Sequence, residues 1–208
     1  MSERSYGMYL AYLTQAFLGM NVLIAVFLGS TTEVMIGGFM FLIGMVPHIF
    51  SWKTKIVFPW FVYFLVSLAL LIHASGYIQE RYITIPHWDK LAHFVSGSIV
   101  ALIGFIFVMF MDKIRRYSLD PPFMALFIVF FGMAGEYIWE IYEFMVDSFF
   151  GGSLAGKMQA SNTDTMMDMI FVLVPSIIVA VGCYYYLNHY GKENIFHNMV
   201  KDSPFFPE

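Results

Sequence analysis

The sequence predicts an all-α membrane protein, a polytopic bundle of about six transmembrane helices with both termini in the cytoplasm. Apolar residues make up 59% of the 208 and charged residues 12%, and the mean hydropathy is +0.69. Soluble globular domains are much less apolar. No repeat, low-complexity tract or linker divides the chain, so we expect one integral-membrane domain over residues 1–208, in the cell membrane.

Six segments have the length and composition of a spanning helix, which needs about 20 largely apolar residues. They cover residues 6–28, 33–50, 56–77, 90–111, 122–146 and 165–189. The first segment is too long for a signal-peptide core and lacks a clear cleavage site, so we expect a retained helix. The second contains three glycines and Pro47, which weaken an isolated helix but are common in membrane helices.

The basic residues predict the orientation of these helices. With a cytoplasmic N-terminus, eight of them fall in cytoplasmic segments: Arg4, Lys53, Lys55, Lys113, Arg115, Arg116, Lys192 and Lys201. Only three fall on the outer side: Arg81, Lys90 and Lys157. Because cytoplasmic segments are enriched in Lys and Arg, this bias places both termini in the cytoplasm.

Composition also excludes some functions. The net charge is −4 and there is no basic tract, so a nucleic-acid partner is not expected. The only cysteine, Cys183, permits neither an internal disulfide nor a paired-cysteine zinc site. Membrane lipids are the expected surroundings.

The fifth segment carries a column of acids. Glu136, Glu140, Glu143 and Asp147 are four, three and four residues apart, so they share one face of a helix. An ionised carboxylate is costly in hydrocarbon, and such a column must face protein, water or a cation. We expect Glu140 and Glu143 to be the working pair.

Two other segments bring polar residues to the same membrane depth. The fourth opens with HWDKLAHFVSG, which places Asp89, Lys90 and His93 at its outer end. The sixth opens with NTDTMMD, which places Asp164 and Asp168 at its outer end. The acids of the fifth segment fall in its outer half, so the topology predicts one site from three helices.

This set of side chains predicts a divalent metal site. The expected metal ligands are Asp89, His93, Glu140 and Asp168. The expected catalytic groups are Glu143 and Asp164, as base or supporting acids, and Lys90, as a partner of a substrate anion or of the cluster's charges. Several carboxylates with one imidazole suit magnesium, manganese, calcium or zinc, without choosing among them.

Three functions fit this pattern. The first is a metal-dependent hydrolase or transferase that acts on a lipid or cell-envelope substrate. The second is a cation- or proton-coupled transporter, or a metal-binding membrane protein. The third is a structural or partner-binding network without turnover. The connection at residues 148–162, rich in glycine, is predicted as a lid, a partner surface or a loop without a role.

Three motifs resemble a known group of membrane proteins. They are DKLAHFVSG from Asp89, EYIWEIYE from Glu136 and NTDTMMDMIFVLVPSIIVAVG from Asn162. In this order they resemble the VanZ-like proteins and their YjdF-like relatives, over about residues 86–182. The resemblance implies an envelope-associated role, including glycopeptide-antibiotic resistance, and it implies no particular reaction. The matching residues are Asp89, Lys90, His93, Glu140, Glu143, Asp164 and Asp168.

Overall fold

The computed structural model of the chain describes residues 3–150 and 158–205. Within these ranges every regular element is a helix. The eight helices are α1 (Glu3–Leu28), α2 (Thr31–Thr54), α3 (Trp60–Ile78), α4 (Arg81–Thr84), α5 (Trp88–Arg115), α6 (Pro121–Phe150), α7 (Asn162–Tyr190) and α8 (Lys192–Val200). Most of the predicted lid, residues 151–157, lies outside the described residues.

Six of these helices, α1, α2, α3, α5, α6 and α7, are long and apolar enough to cross a membrane. They correspond to the six predicted segments and confirm a multi-pass, all-α membrane protein. Five of these helices extend beyond the predicted segments, since backbone hydrogen bonding continues into polar residues at the ends. The predicted start of the third segment at residue 56 is wrong: α3 begins at Trp60, directly after Pro59, which has no backbone N–H to donate. α2 is continuous despite Pro47, and Ser30 caps its start by accepting a hydrogen bond from the backbone N of Glu33.

The chain divides into two compact units, and each is described by itself. Unit 1 contains the described residues up to Trp88 together with those from Lys192 onward. Its α1 packs against α2 and α3, around Leu18, Ala25, Ala74 and Ile78. That the whole chain is one domain stays a prediction.

Unit 1 contains a seam of neutral polar side chains between its helices. Ser67 Oγ donates to Gln15 Oε1 at 3.0 Å, and Gln15 Nε2 donates to the carbonyl oxygen of Phe41 at 3.1 Å. Further along, Gln79 Nε2 donates to Asn21 Oδ1 at 2.7 Å. In hydrocarbon such bonds hold helices together because an unpaired polar group is costly there.

Unit 2 spans Asp89–Gly191 and contains α5, α6 and α7. Glycines on α5 let the neighbouring helices approach it closely. A Cβ at Gly97 would lie 2.9 Å from the Val172 side chain on α7 and 3.1 Å from its Cα. A Cβ at Gly104 would lie 2.9 Å from the Phe131 side chain on α6. α5 therefore contacts both partners, which brings the polar ends of the three helices together.

Candidate functional site

Lys90 is the cation that joins the first turns of α5 and α7. Its Nζ lies 2.6 Å from Asp164 Oδ1, 2.7 Å from Asp168 Oδ1 and 3.1 Å from Asp89 Oδ2. Its side chain is 12% exposed and that of Asp168 is 3% exposed. Buried charges of this kind are stable only when paired and hydrogen-bonded, so the three carboxylates depend on Lys90.

His93 lies one turn beyond Asp89 on α5 and is buried. Its Nδ1 shares a 2.9 Å hydrogen bond with Glu136 Oε1 on α6. On the other side, Nε2 lies 3.5 Å from Asp89 Oδ1 and 3.6 Å from Asp168 Oδ1. The imidazole therefore bridges all three helices, and a carboxylate on one side of the ring can fix its orientation while the other nitrogen binds a ligand.

Glu140 lies one turn beyond Glu136 on α6 and is only 4% exposed. Gln159 Nε2 donates to Glu140 Oε2 at 2.8 Å and to the Glu140 carbonyl oxygen at 3.1 Å. The second carboxylate oxygen, Oε1, is buried and has no hydrogen-bond partner among the described residues. Leaving such an oxygen unpaired costs about 1–3 kcal/mol or more, so this atom marks a place for a cation or a polar ligand.

The last two acids of the α6 column have partners of their own. Trp139 Nε1 donates to Glu143 Oε1 at 2.8 Å, on the same helix. The carboxylate of Asp147 accepts hydrogen bonds from the backbone N of Met158 and of Gln159, each at 2.9 Å. Asp147 thus fixes the segment ahead of α7, and with it the amide that holds Glu140.

Two overlapping groups of side chains have the geometry of a metal site. One is Asp89, His93 and Asp168, and the other is His93, Glu136 and Glu140; in each, one ligand atom per residue lies within 4.8 Å of the others. The structure thus supports a histidine and carboxylate cluster able to bind a metal ion. That an ion binds, and which one, stays a prediction.

Lys90 distinguishes the two groups. Both aspartates of the first group pair with its ammonium, so an ion bound there would meet a positive charge. Two like unit charges about 4 Å apart repel by about 4 kcal/mol at an effective dielectric near 20. Among the described residues the ion pairs of Lys90 are with aspartates and not with this second group, which includes the unpartnered oxygen of Glu140. His93, Glu136 and Glu140 therefore fit an ion better.

A pocket of about 620 Å³ lies beside Glu140, between α6 and the start of α7. Its lining residues are Tyr137, Glu140, Ile141, Phe144, Asp147, Ser148, Gln159, Ser161, Asn162, Thr165 and Met169. Glu140 is thus next to a space large enough for part of a small molecule.

Beyond the site, the helices of unit 2 are apolar. No charged residue occurs between 94 and 111 on α5, between 121 and 135 on α6, or between 169 and 187 on α7. Close contacts at Gly97 and Gly104 pack these stretches together. The charged residues of unit 2 therefore do not continue along the length of its spanning helices.

A family model described as "Predicted membrane protein (DUF2238)" matches residues 9–189, from the first to the last of the six long helices. The chain belongs to this family. No curated protein and no solved structure matches the chain. Membership supports the prediction of a multi-pass membrane-protein family, while the VanZ-like and YjdF-like relationship stays a prediction.

The structure places most of the predicted site residues together, but their contacts differ from those expected from the sequence. Those it brings into one cluster are Asp89, Lys90, His93, Glu140, Asp164 and Asp168. Glu143 belongs to neither group of candidate ligands. Glu136, which was not in the expected working pair, contacts His93 directly. Gln159 was missed because one amide in a connecting segment has no periodic signal. The predicted roles of these residues stay predictions.

Proposed function

We propose that this chain is a membrane-embedded, metal-dependent hydrolase or transferase that acts on a lipid or cell-envelope substrate. The observation that carries the proposal is the buried, unpartnered Oε1 of Glu140, which belongs to one candidate ligand group with His93 and Glu136 and lies beside a pocket. The resemblance of the three motifs to VanZ-like proteins supports an envelope setting.

The contacts suggest a division of roles. His93, Glu136 and Glu140 hold the ion. Asp89 and Asp168, predicted from the sequence as ligands, instead orient the ring from its Nε2 side and form ion pairs with Lys90. A bound divalent ion makes water more acidic and polarises an ester or phosphoryl oxygen.

The proposed chemistry is a simple displacement. The oxygen of water bonds to the carbonyl carbon or phosphorus of the substrate and gives a proton to a carboxylate, with Glu143 as the predicted base. The bond to the leaving oxygen then breaks, and that oxygen takes the proton. In a transferase, the hydroxyl of a second substrate replaces water.

Transport is the weaker alternative. A transported cation needs polar groups along its path because an ion in hydrocarbon is costly. Unit 2 has charged groups near the ends of its spanning helices and long uncharged stretches between them. A site reached from one side suits turnover of a membrane substrate better than passage of an ion.

The test uses Glu140→Gln, because the amide keeps an oxygen for Gln159 and loses no hydrogen bond at Oε1. We expect the purified wild-type chain to bind one divalent ion and the variant to bind it at least about tenfold more weakly. In metal-free buffer, the free energy of unfolding should stay within about 1 kcal/mol of wild type, since neutralising an unpartnered carboxylate costs little. Elemental analysis and denaturation in detergent measure the two effects.

Glu33→Gln is the matched control. Glu33 also has a buried oxygen without a hydrogen-bond partner, but it lies in α2 of unit 1 and in neither candidate ligand group. This variant should bind the ion like wild type. Turnover of membrane lipid extracts, followed by mass spectrometry, should stop with a chelator and return with one metal. A wild-type chain without bound ion, or turnover that persists in chelator, would overturn the proposal.

A further inference from the structure

We propose that Arg81, at one end of unit 1, forms a binding site for the phosphate group of a membrane phospholipid. The residue lies in the connection between α3 and α5, in the short helix α4. It belongs to neither candidate ligand group of unit 2, so the inference goes beyond the proposed function and is tested independently of it.

The guanidinium of Arg81 is held by a side-chain amide. Its Nε and Nη2 both donate to Gln79 Oε1, at 2.9 Å and 2.7 Å. Gln79 Nε2 in turn donates to Asn21 Oδ1 at 2.7 Å, and Asn21 Nδ2 donates to the carbonyl oxygen of Phe17 at 3.0 Å. This series of hydrogen bonds attaches the arginine side chain to α1.

An aromatic ring covers one face of the same guanidinium. Cζ of Arg81 lies 5.1 Å from the centroid of the Trp88 ring, which is within the range of a cation–π contact. Trp88 Nε1 donates to the carbonyl oxygen of Ile72 on α3 at 3.1 Å, and this bond fixes the ring. The guanidinium is therefore oriented before a ligand arrives, which lowers the entropic cost of binding.

The charge of Arg81 is available to a ligand. Among the described residues its side chain contacts the Gln79 amide and the Trp88 ring, and it pairs with no carboxylate. The neighbouring Glu80 is exposed and forms no ion pair with it. Gln79 accepts from two of the five N–H donors of the guanidinium, so the others can bind an anion.

These remaining donors suit a phosphate group. Arginine presents its N–H groups in a planar fork that matches two oxygens of a phosphate. Hydrogen bonds between a guanidinium and an anionic oxygen are about twice as strong as those between neutral groups. A phosphate oxygen therefore satisfies Arg81 better than water does.

The surroundings favour a lipid as the source of the phosphate. α4 closely follows the spanning helix α3, and two of its neighbouring apolar side chains are accessible, with Ile83 84% and Ile85 37% exposed. Exposed isoleucines beside a tryptophan at the end of a spanning helix are typical of a segment at the membrane surface. The headgroups of phospholipids lie at this depth.

Lipid retention in native mass spectrometry tests the inference. The purified chain in detergent is offered phosphatidylglycerol or the neutral lipid monogalactosyl diacylglycerol, and the bound lipid is then challenged with inorganic phosphate. We expect one phosphatidylglycerol to bind about tenfold more tightly than the neutral lipid and to resist millimolar phosphate. Arg81→Gln should abolish the difference between the lipids, because it removes the charge and keeps a polar side chain.

Arg115→Gln is the matched control, because Arg115 is an exposed arginine at the end of α5 and its loss changes the net charge equally. This variant should bind phosphatidylglycerol like wild type. If Arg81→Gln does not fold, Gln79→Leu tests the same site, since it keeps the charge of Arg81 and removes the acceptor that holds it. It should weaken phosphatidylglycerol binding about threefold.

Three results would overturn the inference. They are equal binding of the two lipids by the wild-type chain, a preference that persists in both site variants, and a loss in Arg115→Gln as large as that in Arg81→Gln. Release of the bound lipid by millimolar inorganic phosphate would support a phosphate site at Arg81 and overturn the lipid as its occupant.

Discussion

The two units bury polar groups in different ways. In unit 1 the buried pairs are neutral, as in the bonds of Gln15 with Ser67 and of Asn21 with Gln79. Hydrogen bonds of this kind between membrane helices contribute about 0.6 kcal/mol on average and at most about 1.7. The seam of unit 1 therefore holds helices together, and the loss of any one of its bonds should lower the free energy of unfolding only slightly.

Unit 2 buries ions instead of neutral groups. Lys90 faces three carboxylates, and His93 lies between Glu136 on one side and two aspartates on the other. Each buried ion costs several kcal/mol before pairing, so neutral residues would join these helices at lower cost. Neutral hydrogen bonds join the helices of unit 1, so the charged cluster of unit 2 is not needed to join helices. We therefore assign that cluster a chemical role.

The largest effect is expected from Lys90→Met. The substitution leaves Asp164 and Asp168 without their ammonium partner, and removing one member of a buried ion pair costs about 3–5 kcal/mol. We expect the free energy of unfolding, measured by denaturation in detergent, to fall by this amount. Lys53→Met, at an exposed lysine in the last turn of α2, should change it by less than about 0.5 kcal/mol.

Lys90→Arg separates the charge of Lys90 from its shape, since arginine keeps the positive charge and changes the geometry of the donors. It should retain more of the stability than Lys90→Met does. If the methionine variant were as stable as wild type, removing one partner of a charged pair in unit 2 would cost no more stability than removing one partner of an amide pair in unit 1.

Much of the fold follows from the sequence because the signals are strong. Six long apolar stretches specify six helices in a membrane, since no other element within one chain segment satisfies its own backbone there. Helix ends are less exact: α5 begins at Trp88 and α6 continues to Phe150, because polar end residues keep helical hydrogen bonds without adding hydropathy.

The site was predictable where a charge interrupts an apolar run. Asp89, His93, Glu140 and Asp168 stand out for that reason, and their spacing places them on helix faces. Their partners were not predictable. That Lys90 binds three aspartates, that Glu136 contacts His93 and that Gln159 holds Glu140 depend on helix rotation and on a connecting segment, neither of which spacing determines.

A smaller effect is expected from Gly97→Val, which tests how closely α5 approaches α7. A Cβ at Gly97 would lie 3.1 Å from the Cα of Val172, a backbone atom that cannot move aside alone. Overpacking of this kind costs about 1–3 kcal/mol. Because Gly97 is one turn from His93, the same shift should weaken metal binding, as measured by elemental analysis.

Gly37→Val is the counterpart in unit 1. A Cβ there would lie 2.9 Å from Cδ1 of Ile78, the tip of a flexible side chain, so the cost should be smaller and metal binding unchanged. Gly182→Ala on α7 has nothing within 4 Å of the added Cβ and should be neutral or stabilising. Equal loss of metal in the Gly37 and Gly97 variants would contradict a site confined to unit 2.

The smallest effect is expected from Ser67→Ala in the neutral seam. The change removes the hydroxyl donor of Gln15 Oε1, but Gln15 Nε2 keeps its bond to the Phe41 carbonyl, so the glutamine stays in place. We expect a loss of about 0.6 kcal/mol and no more than about 1.7, measured as for Lys90→Met. Metal binding should not change, because Ser67 belongs to no candidate ligand group. A loss as large as that of Lys90→Met would mean that buried neutral pairs and buried charged pairs contribute equally to the free energy of unfolding. The proposed chemical role of unit 2 would then rest on Glu140 alone.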